Sequence, residues 1–385
     1  MLKKLVAERE EELPVSTIGK FIKIAEEGKG IISLGAGELD FEPGRAVLRA
    51  AKKGVEKGSH YSAPQGRADL REALARKLRK ENKIKTNPEG IIVTNGATEG
   101  IFLTLLCTMD LGEGVMIPDP GFLAYKPAVE ILGGMPISVP LQEGNGFVPE
   151  FEEMEKAIMP EKTKAIILNS PANPTGAVYG RKTLEEIADF ANQYDLLVIS
   201  DEVYEKFVYE GKHVSIGSLN GMEERTVSIF SFSKTFAMPG FRIGYATGPE
   251  KIIKAMSKVH VLTSICAPTA FQMAGLKIMK EKREVERMVG RLDKRRRFVG
   301  KRLGEMGIEF VEPKGAFYFF PGIRNCGMKS MEFSEKLLKR KRVAVVPGTE
   351  FGRRGEGFVR ISYATPDRKL ETALDRIEGF VKGLK

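Results

Sequence analysis

The chain has 385 residues, of which 42% are apolar and 29% are charged. This composition is typical of a globular protein and excludes disordered and collagen-like chains. The net charge of +10 is compatible with nucleic-acid binding, but the basic residues are interspersed with acidic ones, as in residues 282–303, which favours a solvated helix face without a nucleic-acid partner.

No apolar run approaches the ~20 residues that a membrane-spanning helix needs. The N-terminal residues mix charges of both signs and lack the apolar core of a signal peptide. We therefore expect a cytoplasmic protein without membrane contact. The cysteines, Cys107, Cys266 and Cys326, lie far apart in the sequence, so no disulfide framework is expected.

The first 45 residues contain a short helical pattern and then an apolar strand that runs into a loop rich in glycine and proline, IISLGAGELDFEPG. From Arg45 to about residue 110 the periodicity is helical, with interruptions at GSHYSAPQG and at a short strand, residues 91–94. NGATEG follows this strand and begins a helix of buried composition, IFLTLLCTM.

The middle of the chain alternates between apolar strands and helical segments, as βαβ units do. The predicted strands are VMIPDPG, MPISVPL, KAIILNS, LLVISDE, TVSIFSF and RIGYATG. The segment LEEIADFANQYD predicts a helix between the third and fourth of them. Strands that are apolar throughout indicate a mostly parallel sheet covered by helices on both faces.

A long charged helix is predicted over residues 273–306. Beyond it the pattern is α+β, with predicted strands at IEFVEP, GAFYFFPG, RVAVVPG and FVRISYAT before a final helix. The expected fold is therefore α/β, with a large domain at 45–285 and a smaller α+β domain at 286–385 to which residues 1–44 contribute.

Polar residues follow the apolar strands directly: NSPANPTG follows KAIIL, DEVY follows LLVIS, SFSK follows TVSIF, and NGATEG follows IIVT. Ligands of open α/β sheets bind at the carboxyl ends of the strands. The sequence therefore predicts one binding site built from these four strand ends.

Lys234, the last residue of SFSK, can form a Schiff base with an aldehyde if its amine is partly neutral. A single lysine after a strand is more often an exposed loop residue. Here Ser231 precedes it by three residues and Arg242 follows eight residues later. A hydroxyl, an amine and a guanidinium within twelve residues can hold a phosphate and an aldehyde together.

The helix after NGATEG begins near Gly96, Ala97 and Thr98, whose backbone amides can bind a phosphate or form an ordinary helix cap. Asp201 follows a buried strand and can keep a ring nitrogen protonated, although a lone aspartate there is more often an N-cap. Tyr204 can donate to an oxygen on the same ring.

Asn173, in ANPTG, offers a side-chain amide at another strand end, although NPTG is also an ordinary turn sequence. Taken together, SFSK with Arg242, DEVY, PANPTG, NGATEG and FVRISYA resemble, in order and spacing, the class I/II aminotransferases of pyridoxal 5'-phosphate (PLP) fold type I, the aspartate aminotransferase-like family. The resemblance extends from GAGELDF to FVRISYA and includes GAFYFF and VVPGTEFG.

The resemblance implies a PLP enzyme that moves the α-amino group of an aspartate-like, aromatic or alanine-like amino acid to a 2-oxo acid, with 2-oxoglutarate as the expected acceptor. The mechanism would be ping-pong, through pyridoxamine phosphate. Lys234 would bind the cofactor covalently and move the proton, and Asp201 would pair with the ring nitrogen. Tyr204 and Asn173 would contact the ring oxygen. The implied phosphate ligands are Ser231, Arg242, Gly96, Ala97 and Thr98.

The resemblance also implies a homodimer with shared active sites, because Tyr61 matches a tyrosine that reaches the phosphate of the neighbouring subunit. Arg360 would bind the α-carboxylate of the substrate in a bidentate pair, together with Gly37 and Asn173. Phe122 would stack on the cofactor ring.

Three positions depart from the family pattern. Leu39 replaces the proline of GEPDF, and Phe122 stands at the stacking position in place of a tryptophan or tyrosine. Leu262 lies near the position where some aspartate enzymes carry an arginine for the distal carboxylate. Three alternatives remain. A PLP lyase or synthase would share Lys234, Asp201 and Arg242. A nucleotide-binding oxidoreductase is suggested by GAG at 35–37, but Asp40 stands where a third glycine is needed. A non-catalytic module would keep the fold without turnover.

Overall fold

The structure is a computed structural model that describes residues 5–7, 28 and 30–384. The helix predicted before the first strand lies outside the described residues. The described strands are β1 (Ile32–Ser33), β2 (Ile91–Thr94), β3 (Gly114–Asp119), β4 (Met135–Pro140), β5 (Thr163–Asn169), β6 (Leu197–Asp201), β7 (Thr226–Ser231), β8 (Gly244–Thr247), β9 (Tyr318–Phe319), β10 (Val343–Ala344), β11 (Val346–Pro347) and β12 (Val359–Ser362).

Seven of these strands form one sheet, in the order β2-β8-β7-β6-β5-β3-β4. The pairs β3–β4, β3–β5, β5–β6 and β6–β7 are parallel, whereas β8 runs antiparallel to both β7 and β2. The sheet is therefore mostly parallel, as the continuous apolar strands predict. In such a sheet the carboxyl ends of β5, β6 and β7 lie side by side along one edge.

Both faces of this sheet are covered. Val198 packs on one side in an apolar cluster with Ile166, while its neighbour Ile199 packs on the other side with Ile229. The described α-helices are α1 (Arg45–Lys57), α2 (Ala68–Lys77), α3 (Ala97–Thr108), α4 (Tyr125–Ile131), α5 (Phe151–Ala157), α6 (Arg181–Gln193), α7 (Phe232–Thr235), α8 (Glu250–Thr263), α9 (Thr269–Ile278), α10 (Lys282–Glu305), α11 (Ser330–Lys341) and α12 (Asp367–Lys382). Within the described ranges, no helix is both long and apolar enough to cross a membrane.

The remaining strands form two small sheets. The strand β1 pairs with β10 in parallel, and β12 lies between β11 and β9 in an antiparallel sheet. The pairing of β1 with β10 joins the N-terminal segment to the C-terminal part of the chain. This pairing also brings the loop that follows β1 next to β12, since Ser362 N donates to Leu34 O at 2.7 Å.

The prediction of a single helix over residues 273–306 is wrong, because two helices, α9 and α10, occupy this range. They meet at a turn in which Glu281 N donates to Ile278 O. The two helices pack in different places. A Cβ on Gly54 of α1 would lie 2.1 Å from Ala270 O of α9, so these helices are in close backbone contact. By contrast, Leu292 and Val299 of α10 belong to a cluster with Phe319. A change of direction does not interrupt the helical periodicity and is invisible to it.

The strand predicted at IEFVEP is also wrong, since this segment lies in no strand. The backbone of this segment is linked to the segment after β9 by a hydrogen bond from Gly322 N to Glu309 O. Its side chains serve other contacts, because Phe310 packs edge-on against Phe319 and Glu312 pairs with Arg296. The strand predicted at RIGYATG begins later, at Gly244, because Arg242 has a φ of +54°, which a strand does not accommodate.

Candidate active site

The carboxyl ends of β5, β6 and β7 open into a cavity of about 250 Å³. The polar strand ends meet there, together with residues from the loop after β1, from β12 and from α3. The predicted site residues that line the cavity are Gly37, Ala97, Thr98, Phe122, Asn173, Asp201, Tyr204, Ser231, Lys234, Arg242 and Arg360. The structure thus brings together groups that are separated by more than 300 positions in the sequence.

Lys234 lies in α7, the short helix that Ser231 caps by accepting a hydrogen bond from Ser233 N at 3.1 Å. Its amine donates to Gly37 O in the loop after β1. Burial is the main cause that lowers the pKa of this amine to about 8. Arg360 and Arg242 act in the same direction, and Glu38 and Asp201 oppose them. About a tenth of the amine is therefore neutral at pH 7, and nucleophilic attack on an aldehyde requires this neutral form.

Asp201 is the last residue of β6 and is buried. Its Oδ2 accepts a hydrogen bond from the Tyr125 hydroxyl at 2.6 Å, and its Oδ1 accepts one from Val203 N at 3.2 Å. Burial raises the pKa of the carboxyl to about 6, although these two hydrogen bonds oppose the rise. Each oxygen accepts more than one hydrogen bond in general, so the carboxylate can receive a further donor from the cavity.

The N-terminus of α3 forms another wall of the cavity. Gly96 precedes the helix with a φ of +83°, and a Cβ at this position would lie 2.5 Å from Nη2 of Arg242. Only glycine satisfies both conditions without a rearrangement. The amides of Ala97 and Thr98 occupy the first turn, where backbone N–H groups have no acceptor within the helix. This end of the cavity is suited to an anion.

Arg242 stands opposite that helix end. Its Nη1 donates to Pro239 O at 3.0 Å and its Nη2 to Asn95 O at 3.1 Å. Its backbone has the left-handed φ of +54°, which costs of order 1–3 kcal/mol for a residue other than glycine. Such a conformation is often found at a functional site, where the surrounding structure holds it in place.

Arg360, in β12, is 2% exposed. Its Nη1 donates to Asn173 Oδ1 at 2.9 Å and its Nη2 to Gly35 O at 2.7 Å, while its Nε is buried without a hydrogen-bond partner among the described residues. The guanidinium lies 4.5 Å from the ring centre of Tyr318. Burial lowers the pKa of this group, so a buried cation here favours an anionic guest.

Tyr204 and Asn173 complete the polar wall. The Tyr204 hydroxyl is 2.8 Å from the Tyr318 hydroxyl, and either can be the donor. Asn173 uses its oxygen for Arg360, so its amide nitrogen remains available as a donor toward the cavity. Phe122 packs edge-on against Tyr125, with ring centres 5.5 Å apart.

Two predicted site residues, Gly96 and Tyr61, are not among the residues that line this cavity. Tyr61 is 76% exposed. A role in the cavity of its own subunit is therefore not indicated. Leu39 and Leu262, two of the three departures from the family pattern, also have distinct environments. Leu39 is buried in the main apolar cluster, so it anchors the loop that carries Gly37, whereas Leu262 is exposed.

Several residues that contribute to the site were not predicted from the sequence. Tyr125 orients Asp201, Tyr318 contacts both Tyr204 and Arg360, and Gly35 O accepts from Arg360. Asn169, at the end of β5, accepts the amide of Asn173 at 2.8 Å. A polar residue at the end of a predicted strand was a usable signal for Asn169, but Tyr125 and Tyr318 lie in apolar segments typical of a core.

The chain matches the family described as "Aminotransferase class I and II" over residues 29–377. It is 48% identical over 376 residues to an aspartate aminotransferase from Pyrococcus abyssi, with 96% of each chain covered. It is 46% identical over 386 residues to aromatic-amino-acid aminotransferase 2 from Thermococcus litoralis, with 99% of each chain covered.

Among solved structures, one described as Pyrococcus protein-A1 matches with a TM-score of 0.95 and 48% identity, with 98% of each chain covered. The fold that the motifs imply is thereby confirmed. The family match and the two aminotransferase relatives favour an aminotransferase over the lyase, oxidoreductase and non-catalytic alternatives. The chain belongs to the class I and II aminotransferase family and is an enzyme that transfers amino groups.

Proposed function

We propose that the chain binds PLP through Lys234 and transfers the α-amino group of an aspartate-like, aromatic or alanine-like amino acid to a 2-oxo acid, with 2-oxoglutarate as the acceptor. One observation carries this proposal: the amine of Lys234 and the buried carboxylate of Asp201 line the same cavity as an anion-binding helix end and a buried arginine. Each of these groups complements a different part of the cofactor or the substrate.

The residues present fit this cofactor. Arg242, Ser231 and the amides of Ala97 and Thr98 suit its phosphate. The carboxylate of Asp201 suits a protonated ring nitrogen, and the donors of Tyr204 and Asn173 suit the ring oxygen. When bound, PLP withdraws electrons from the Cα of the attached amino acid and makes its proton removable. Asp201 supports this effect by keeping the proton on the ring nitrogen.

Lys234 has two tasks in the proposed reaction. Its amine would hold the cofactor covalently, and when an amino acid takes its place on the cofactor the amine would be free to act as a base. Its lowered pKa, about 8, suits a group that must take up and release a proton near neutral pH. Lys234 would then deliver the proton taken from Cα to the cofactor, and hydrolysis by a water molecule would release the 2-oxo acid and leave the amino group on the cofactor.

Arg360 determines how the amino acid lies. Its buried guanidinium is fixed by Asn173 and Gly35, so a carboxylate bound to it has a defined orientation. With the phosphate held by Arg242 and the N-terminus of α3, this contact would select which Cα bond is broken. We assign Phe122 to the face of the ring and Gly37 to the carboxylate.

We also propose the division into a large domain, 45–285, and a small domain, 286–385, completed by 1–44. The seven-stranded sheet lies within the first range, and the pairing of β1 with β10 supports the assignment of the N-terminal segment. The exposure of Tyr61 is consistent with its reaching the phosphate of a neighbouring subunit in a homodimer. An active enzyme that sediments as a monomer would contradict this role.

The proposed reaction is tested by mixing the PLP-loaded enzyme with one amino acid at a time, without an acceptor. We expect the absorbance of the PLP form to be replaced by that of the pyridoxamine form for the true donor class, because the first half-reaction stores the amino group on the cofactor. Addition of 2-oxoglutarate should reverse the change. A panel of aspartate, phenylalanine, tyrosine and alanine distinguishes the donor classes, and a lyase would give no pyridoxamine form with any of them.

Arg360→Ala is expected to raise the KM for the amino acid by about tenfold to a hundredfold, with a smaller effect on kcat, since a charged hydrogen bond contributes about 1.5–3 kcal/mol. Steady-state kinetics with the preferred donor measures this change. Arg302→Ala is the control, because Arg302 pairs with Asp375 and Glu378 outside the cavity. If KM and kcat stay unchanged in the Arg360 variant, the carboxylate binds elsewhere.

The rate at which PLP attaches to the apoenzyme should rise with pH until it levels off near the pKa of Lys234, about 8. Only the neutral amine attacks the aldehyde, so between about pH 6.5 and about pH 7.5 the rate should increase roughly eightfold. Stopped-flow absorbance after mixing apoenzyme with PLP measures it. A rate that keeps rising about tenfold per pH unit well beyond pH 8 would show that burial has not lowered the pKa of this amine.

A further inference from the structure

The turn that carries the phosphate-binding amides is held by a residue with no assigned role. Glu99 lies in the first turn of α3. Its Oε2 accepts the backbone amide of Asn95 at 2.6 Å, and its two oxygens accept the side-chain amide of Asn95 at 2.9 and 3.0 Å. The carboxylate thus reaches back over the helix end and binds the residue before Gly96, which leaves the amides of Ala97 and Thr98 to other acceptors.

Asn95 in turn holds the guanidinium that faces this helix end, because Asn95 O accepts from Nη2 of Arg242 at 3.1 Å. The fit between the turn and the guanidinium is tight, since a Cβ on Gly96 would lie 2.5 Å from Nη2. The turn also packs on β8, where a Cβ on Gly244 would lie 2.7 Å from Ala97 N. A shift of Asn95 therefore displaces both the guanidinium and the amides.

The Glu99 carboxylate is itself fixed by contacts with Ser264 and His260. Ser264 Oγ donates to Oε1 at 2.8 Å and accepts from the side-chain amide of Asn95 at 3.0 Å. His260 is fully buried, with Nδ1 2.9 Å from Pro64 O and Nε2 3.3 Å from Oε2 of Glu99. Burial opposes ionisation of Glu99, but the contacts with His260 and Asn95 outweigh it and lower the pKa to about 2. The carboxylate is therefore charged at any working pH.

A carboxylate within one turn of a phosphate site repels the phosphate. The Glu99 carboxylate must therefore favour phosphate binding in another way that offsets this repulsion. We propose that Glu99 is a positioning residue for cofactor phosphate binding: it fixes Asn95, and Asn95 fixes Arg242 against the N-terminus of α3. The proposal rests on the proposed function, because it concerns the phosphate of PLP. Glu99 itself does not touch the cofactor.

The test compares the affinity of the apoenzyme for PLP and for pyridoxal, which has the same ring and aldehyde but no phosphate. In Glu99→Ala the affinity for PLP should fall by about tenfold or more, since one charged hydrogen bond contributes about that much, while the affinity for pyridoxal should stay near that of the natural protein. Glu99→Gln keeps one acceptor oxygen, so its affinity for PLP should lie between that of Glu99→Ala and that of the natural protein. Ser264→Ala should shift PLP affinity in the same direction by less.

Glu113→Ala is the matched control. Glu113 also accepts a backbone amide, that of Asp110 at 2.7 Å, but it does so in the turn beyond the opposite end of α3. The ratio of PLP affinity to pyridoxal affinity in Glu113→Ala should match that of the natural protein. If Glu99→Ala does not fold, Glu99→Gln and Ser264→Ala carry the test.

An unchanged affinity ratio in the Glu99 and Ser264 variants, with or without a lower unfolding temperature, would show a merely structural role and overturn the inference. An equal loss of both affinities would overturn it as well. These outcomes differ from failure of the proposed function, in which the natural protein would bind PLP no better than pyridoxal or would not attach it to Lys234. That result would remove both proposals together.

Discussion

Lys234→Ala is expected to abolish the visible absorbance of the covalently bound cofactor and to lower kcat by at least about a thousandfold. Both effects have the same origin, because the variant lacks the amine that attaches PLP and the base that moves the Cα proton, and general base catalysis alone contributes about 10²–10⁴. PLP can still enter the cavity through the phosphate contacts, so the variant should bind it noncovalently.

The site of attachment is checked by borohydride reduction of the PLP-loaded protein, followed by peptide mass spectrometry, which should find a phosphopyridoxyl group on Lys234. Lys234→Arg is the matched control, since it keeps the positive charge near Gly37 O and Asp201 but has no amine that can attack an aldehyde. It should remain unlabelled and inactive. Labelling of another lysine in the natural protein would contradict the assignment on which the proposed function depends.

Asp201→Asn is expected to leave PLP attached to Lys234 while slowing removal of the Cα proton by about a hundredfold or more, the usual effect of losing one preorganised charge in a buried site. Asparagine has the same shape and can keep the hydrogen bond from Tyr125, but it cannot stabilise a positive charge on the ring nitrogen. The primary measurement is the single-turnover rate with an amino acid deuterated at Cα, compared with the undeuterated one.

Glu202→Gln is the control for Asp201→Asn. Glu202 is the next residue and equally buried, but its carboxylate contacts His213 at 2.7 Å and Ser215 and does not line the cavity. We expect this variant to affect stability more than the rate of proton removal. Equal rates in Asp201→Asn and the natural protein would show that the ring nitrogen has no partner at position 201.

The strands that build the site were predictable because their signal is local. Each of β5, β6 and β7 is mostly apolar and ends at a polar residue, and the sheet topology places these ends along one edge. Asp201, Ser231 and Lys234 therefore lie where the sequence predicts them, around one cavity. The sequence alone also determined the family, through five motifs in the correct order.

Contacts between distant segments were not predictable, because they depend on how the elements pack. Tyr125 meets Asp201 across 76 positions, and its segment reads as ordinary core. The turn between α9 and α10 was missed for a similar reason, since both helices keep an apolar face but bury it in different places. Glu99 reads as an ordinary first-turn acid until Asn95, Arg242 and Ser264 surround it.

The order of residues along the chain thus determined the strands, the strand-end groups and the family, since these depend on neighbours within a few positions. The tertiary structure alone decided the chemical character of the groups. Burial and neighbouring cations lower the pKa of Lys234 to about 8, and burial raises that of Asp201 to about 6. Solvation and charge act through space, so no pattern in the sequence reports them.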